Sequence, residues 1–146
     1  MKSPQAKPSP ANDLRLAALD VAFPPVDPGL KPFGDRVLVQ MRTPRKTSAG
    51  GIILPDETQE TEQWNTQAAK VIAIGPTCFV NQDTLEPWKE GAWCKVGDFV
   101  RVPKYGGDRW QVRVPGTPDY ALFVVFKELD LIGELTVDPL TVVAYI

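Results

Sequence analysis

A chain of 146 residues has the length of one ordinary domain, and its 16 Lys and Arg against 18 Asp and Glu leave a net charge of −2, without the basic footprint of a nucleic-acid binder. There is no histidine, which excludes His-based acid-base catalysis, a Ser-His-Asp triad and ordinary zinc ligation together. The 15 prolines and 11 glycines break the chain into short strands and turns, so the class expected is all-β.

Residues 1–30 are set apart by prolines at 4, 8, 10, 24, 25 and 28. Between them, residues 12–23 have helical character: Asn12 or Asp13 serves as an N-cap, and Leu14, Ala17, Ala18 and Val21 recur at i, i+3, i+4 and i+7. A helix this short forms only when docked on the body or on a neighbour, the alternative being a disordered arm. The start is polar and proline-rich and no apolar run reaches the roughly 18 to 20 residues of a membrane span, so a soluble chain without a signal peptide is expected.

From Asp35 the pattern becomes one of strands. Residues 37–41 form a β-rich run that stops at Pro44; a polar stretch with one apolar island, Ile52-Ile53-Leu54, follows to about Gln67. Residues 68–74 make the next strand, with Gly75-Pro76 as its stop signal. An insert between Gly75 and Gly97 carries Trp88, Trp93, Cys78 and Cys94 and reads as a hairpin excursion. Two cysteines are too few for a disulfide scaffold, and both are expected as free thiols. Residues 99–102 and 110–114 alternate on either side of Tyr105-Gly106-Gly107-Asp108, the pattern of a hairpin. Residues 120–126 are apolar throughout, as in a central strand buried on both faces. One helical turn at 127–130, a last strand at 131–135 and an apolar tail beyond Asp138-Pro139 complete the chain. About six such strands suit a small closed or nearly closed barrel.

Five motifs in order carry a resemblance: Lys31-Pro32-Phe33-Gly34-Asp35-Arg36-Val37-Leu38-Val39, Thr47-Ser48-Ala49-Gly50-Gly51-Ile52-Ile53-Leu54-Pro55, Ala69-Lys70-Val71-Ile72-Ala73-Ile74-Gly75, Lys95-Val96-Gly97-Asp98-Phe99-Val100 and Lys104-Tyr105-Gly106-Gly107. Over residues 31–135 the chain resembles the GroES-type co-chaperonins. The resemblance implies a small GroES-like β-barrel with a mobile loop at about 43–66 and a roof hairpin at about 76–96, flanked by extensions at 1–30 and 136–146. Compact bacterial members lack such extensions, which are similar to those of phage-encoded co-chaperonins.

The loop joins the resemblance to its chemistry. Ser48, Ala49, Gly50 and Gly51 are small and permissive, and the two glycines can take the positive φ of a tight turn. Ile52, Ile53 and Leu54 are large apolar side chains in a polar stretch, the signature of a partner site, and the resemblance assigns them to the apical groove of a GroEL-type chaperonin, host or co-encoded. It also assigns the ring contact, a heptamer in the family, to Leu30, Pro32 and Phe33 of one subunit against Leu131, Ile132 and Leu135 of the next. The implied protein is a cytoplasmic co-chaperonin without cofactor, metal or catalytic centre, which encloses a client protein and binds neither nucleic acid nor membrane. The alternatives are a phage structural ring protein on the same fold, an OB-like strand-binding barrel, and the related barrel of medium-chain alcohol dehydrogenases, whose Gly-x-Gly-x-x-Gly turn is absent.

Overall fold

The computed structural model of the protein describes residues 18–43 and 67–142. Six strands, β1 (Arg36–Met41), β2 (Ala68–Ile74), β3 (Phe99–Arg101), β4 (Asp108–Arg113), β5 (Tyr120–Lys127) and β6 (Gly133–Glu134), form one sheet in the order β4-β5-β1-β2-β3-β6. Every neighbouring pair is antiparallel. The all-β reading holds, and β5 is interior to the sheet between β4 and β1, as its unbroken apolar run requires.

Alternation along β1 divides the core in two. Val37, Val39 and Met41 point into the larger cluster with Ala69, Val71, Val100, Leu122, Val124 and Phe126. Leu38 points the other way, against Ala121 and Phe123. A register shift between Leu38 and Val39 opposes Leu38 to Ala73 and Val39 to Val71. The shift leaves the consecutive residues Ile72 and Ala73 both against the smaller cluster.

The insert closes the end of the larger cluster. Its ladder is short, with the bridge Val80↔Pro87 flanked by bonds from the Asn81 N–H to the Glu86 carbonyl (2.7 Å) and from the Trp88 N–H to the Phe79 carbonyl (3.1 Å). Cys78, Phe79 and Cys94 are buried in the cluster, and Trp88 and Trp93 pack against it. The tryptophans therefore face the body core, with Trp93 5.7 Å from Phe79 between ring centroids.

Two expectations fail. The segments at 99–102 and 110–114 do not pair with each other: β3 joins β2 and β6, whereas β4 joins β5. The chain between them crosses to the far side of the sheet through Gly106 and Gly107, both at positive φ. At Gly107 a Cβ would lie 2.6 Å from Val124 Cγ1 and 2.9 Å from the Val125 carbonyl, so the Gly-Gly pair is a close crossing against β5 and not a hairpin tip. The second failure is at the N-terminal helix, whose described part is residues 18–22. Val21, expected on its buried face, is 75% exposed, and Phe23 just beyond is buried instead, 5.2 Å from the Phe99 ring.

Residues 24–28 then run over the smaller cluster as a strap. Val26 packs against it, Trp110 Nε1 donates to the Pro28 carbonyl (3.0 Å), and the Trp110 ring stacks on Phe123.

Candidate functional site

Two regions are candidates, the described residues that flank 44–66 and the edge of the sheet at β6. Ser48, Ala49, Gly50, Gly51, Ile52, Ile53 and Leu54 lie outside the described residues. The two ends from which the loop departs are described. Met41 is paired with Ala69, and the Arg42 N–H donates to the Ala68 carbonyl (3.2 Å), so the described residues on either side of 44–66 lie on adjacent strands. Gln67 ties the returning end to the body: its backbone carbonyl accepts from the Val102 N–H (3.0 Å), its side-chain Nε2 donates to the Val102 carbonyl (3.1 Å), and its side-chain oxygen accepts from Arg101 (2.9 Å).

At the other region, β6 is the last strand in the sheet order. On its inner side the Ile132 N–H reaches the Arg101 carbonyl (3.0 Å) and the Leu135 N–H reaches the Phe99 carbonyl (2.9 Å), so residues 132–135 lie extended along β3. Ile132 is 58% exposed, while Leu131 and Leu135 are half-buried. Of the other expected interface residues, Leu30 is 43% exposed and Phe33 78% exposed. Pro32 is buried within its own subunit. Burial alternates over Lys31, Pro32 and Phe33, exposed, buried and exposed, so Pro32 turned inward leaves Phe33 outward. A recess of about 100 Å³ beside β6 is lined by Trp93, Cys94, Val100, Leu131, Ile132, Gly133 and Glu134.

Gly75 closes the start of β1 onto the end of β2. Its N–H donates to the Arg36 carbonyl (2.8 Å), and a Cβ there would fall 2.2 Å from the Gly34 carbonyl oxygen. Cys78 follows, its thiol 3.3 Å from the Arg36 carbonyl as donor. Burial pushes the Cys78 and Cys94 thiols up to about 11, with nearby carboxylates, Glu128 and Asp35 at Cys78 and Asp98 and Glu134 at Cys94, acting in the same direction. Both are free, buried and in their unreactive form at neutral pH.

Three polar residues carry no signal of function in the sequence, yet the fold buries them. Glu128 opens the 3₁₀ turn Glu128–Asp130 and is 1% exposed; its carboxylate accepts from the Phe79 N–H across the base of the insert. Gln40 donates its amide to the Pro24 carbonyl (2.8 Å). Arg42, 8% exposed, donates through Nη1 to the carbonyls of Pro139 (3.2 Å) and Val142. The available hint is a polar residue in the middle of an otherwise apolar strand, Gln40 between Val39 and Met41.

Residues 29–135 match the family model described as Chaperonin 10 Kd subunit. The chain belongs to that family. It is 34% identical over 108 residues to a protein of Methylacidiphilum infernorum named Co-chaperonin GroES, an alignment covering 74% of this chain and 95% of that protein. A protein of the same name from Listeria monocytogenes is 33% identical over 104 residues, covering 71% of this chain and 96% of its own. One from Corynebacterium jeikeium is 40% identical over 78 residues, 53% of this chain and 71% of its own. The function is accordingly that of a co-chaperonin. The match leaves out 1–28 and 136–146 at the two ends, which contain the helix, the strap and the C-terminal turn.

Proposed function

We propose that this co-chaperonin caps a GroEL-type chaperonin as a homo-oligomeric ring, a heptamer as in the family, and binds it through Ile52, Ile53 and Leu54. The observation that carries the reading is the family match at 29–135, within which Ser48, Ala49, Gly50, Gly51 and the apolar triplet Ile52-Ile53-Leu54 fall. Burying three such side chains is worth about 1.5 to 3 kcal/mol each, and ordering the segment takes back about 2 to 5 kcal/mol. Each arm then binds weakly, and linkage of identical arms in a ring supplies the avidity, about 10² to 10⁴ for a second linked contact.

Ring closure uses the open edge of β6, with residues 30–35 of one subunit added as a strand along 131–135 of the next. Such pairing covers hydrogen-bonding groups that otherwise invite aggregation, and a head-to-tail contact of this kind closes into a ring. The exposed Phe33, Leu30 and Ile132 support this reading, as does the apolar recess beside β6. Pro32 supports it only indirectly, by turning Phe33 outward. The work is steric, enclosure of a client in the cytoplasm, and assigns no residue a catalytic step. Among the described residues no helix is long and apolar enough to cross a membrane.

The test is binding of the purified protein to a bacterial chaperonin with and without ATP, with native mass spectrometry of the free protein. A ring that binds only with nucleotide is expected. A stable monomer with intact β structure, or a ring indifferent to the chaperonin, refutes the proposal.

A further inference from the structure

The two ends of the chain outside the family match both reach the residues that flank 44–66, besides the contacts of the N-terminal strap with the smaller cluster. After Leu38, the face of β1 opposite the larger cluster carries Gln40 and, next in the alternation, Arg42. Each polar side chain on this face donates to a backbone carbonyl of a flank, Gln40 to Pro24 and Arg42 to Pro139 and Val142. The Thr43 N–H, last before the loop, donates to the Ala22 carbonyl at the end of the N-terminal helix (2.7 Å).

The C-terminal partner is built to present those carbonyls. The 3₁₀ turn Pro139–Thr141 is capped by Asp138, whose side chain accepts from the Leu140 N–H (3.0 Å). The Asp138 carbonyl also accepts from the Thr141 hydroxyl (2.7 Å) and the Thr141 N–H (3.0 Å). An arginine remains charged when buried, so its hydrogen bonds are obligatory, and its planar fork fixes direction as an apolar side chain of equal volume cannot.

We infer that Arg42 is a positioning residue for chaperonin binding: it locks the C-terminal turn, and the adjoining Thr43 locks the N-terminal helix, onto the root of the loop, so that both flanks hold the base from which the loop departs. The inference rests on the loop being the chaperonin-binding arm. A fixed base narrows the directions the arm samples and raises its effective concentration at a groove. Releasing the base lowers affinity about twofold per arm, which over four or more linked arms compounds beyond tenfold.

Three proteins test it: Arg42→Met, a chain ending at Asp138, and the two changes combined. Each carries Thr47→Cys labelled with a small fluorophore, the buried native thiols being slow to react. Ring mass and thermal midpoint report assembly, dye anisotropy in the free ring reports freedom at the root, and ATP-dependent binding to a bacterial chaperonin reports function. Expected are intact rings, lower anisotropy and at least tenfold weaker binding in each single variant, with no further loss in the combination, because the two changes break the same contact. Intact rings with wild-type anisotropy and affinity overturn the inference, and additive losses also overturn it. If Arg42→Met does not assemble, the truncated chain decides alone, since it leaves Arg42 in place and exposes it to water. If even the wild-type ring fails to bind a chaperonin, the proposed function falls, while the anisotropy of the free rings still decides whether Arg42 holds the root.

Discussion

Replacing Glu128 by Ala removes the buried carboxylate that joins the end of β5 to the base of the insert. Three contributions set the magnitude. The bond from the Phe79 N–H to a charged acceptor is worth about 1.5 to 3 kcal/mol, and its loss leaves that N–H without its acceptor. The vacated space adds about 1 kcal/mol, at the low end for truncation of a buried side chain. Phe79 is also held at φ 62, a left-handed conformation that disfavours a bulky side chain, and relief of that strain by local opening offsets part of the loss. A loss of about 2 to 4 kcal/mol follows for Glu128→Ala. Glu128→Gln keeps the volume and an acceptor oxygen and gives up only the charge, a loss of about 1 kcal/mol. Urea unfolding at fixed protein concentration measures both, because the stability of an oligomer depends on concentration. Tryptophan fluorescence is a suitable probe, since Trp88 and Trp93 pack against the cluster that contains Phe79. If Ala and Gln fall within about 0.5 kcal/mol of each other, less than the hydrogen bond alone is worth, the carboxylate is not what fastens the insert.

Gly75→Ala forces a Cβ to within 2.2 Å and 2.9 Å of the Gly34 and Arg36 carbonyl oxygens, so the start of β1 must shift; we expect at least about 2 to 3 kcal/mol lost by thermal or urea unfolding, and a neutral result contradicts the close approach. The thiols of Cys78 and Cys94, at about 11 when folded, lie above the ordinary value of 9.0, so the stability they contribute is fully present below that ordinary value and is lost as pH rises toward the folded one. The difference between urea midpoints at about pH 8 and about pH 10.5, on either side of the ordinary value, should therefore shrink when both cysteines are replaced by Ala; an unchanged pH dependence refutes the assignment. Ile53→Ser should leave the thermal midpoint of the ring unchanged and weaken ATP-dependent chaperonin binding at least about tenfold, whereas a stability loss of about 2 to 5 kcal/mol with binding per ring preserved would show Ile53 to be a core residue.

What is legible in the sequence is what depends on local pattern. Val37-Leu38-Val39 and the run 120–126 carry no charged residue on either face, and they form β1 and β5, interior to the sheet. The motifs at Gly75 and Gly106-Gly107 are legible as breaks, but not the reason for them. Gly75 is needed because the carbonyls of Gly34 and Arg36 crowd it, and Gly107 because Val124 does, contacts between segments distant along the chain that no local spacing encodes. The expected hairpin of 99–102 with 110–114 fails for the same reason, since the alternating pattern says which side chains share a face and is silent on which strand lies alongside. Glu128 and Arg42 escape notice because a charged residue beside a strand end reads as solvated, and only the tertiary partners, Phe79 in one case and the C-terminal carbonyls in the other, make burial tolerable. The apolar triplet at 52–54 is the reverse case, conspicuous in sequence and beyond the described residues.

In the proposed cap, the balance at each arm makes the root consequential. Three buried aliphatic side chains contribute about 4.5 to 9 kcal/mol in total, from which ordering subtracts about 2 to 5 kcal/mol, so the net affinity of one arm is a small difference between two large and opposed free energies. A twofold change per arm is about 0.4 kcal/mol, negligible against the cohesion of the sheet but compounded over the linked arms of a ring. A device that adjusts the arm by tenths of a kcal/mol therefore belongs at its base, where it alters the entropy of the free loop without altering the apolar surface that the chaperonin grips. The hydrogen bonds at Arg42 and Thr43 are in that place, and their partners lie in segments outside the family match. A compact relative would lack those partner segments; in this chain they would let the termini tune the arm while the triplet remains a common key.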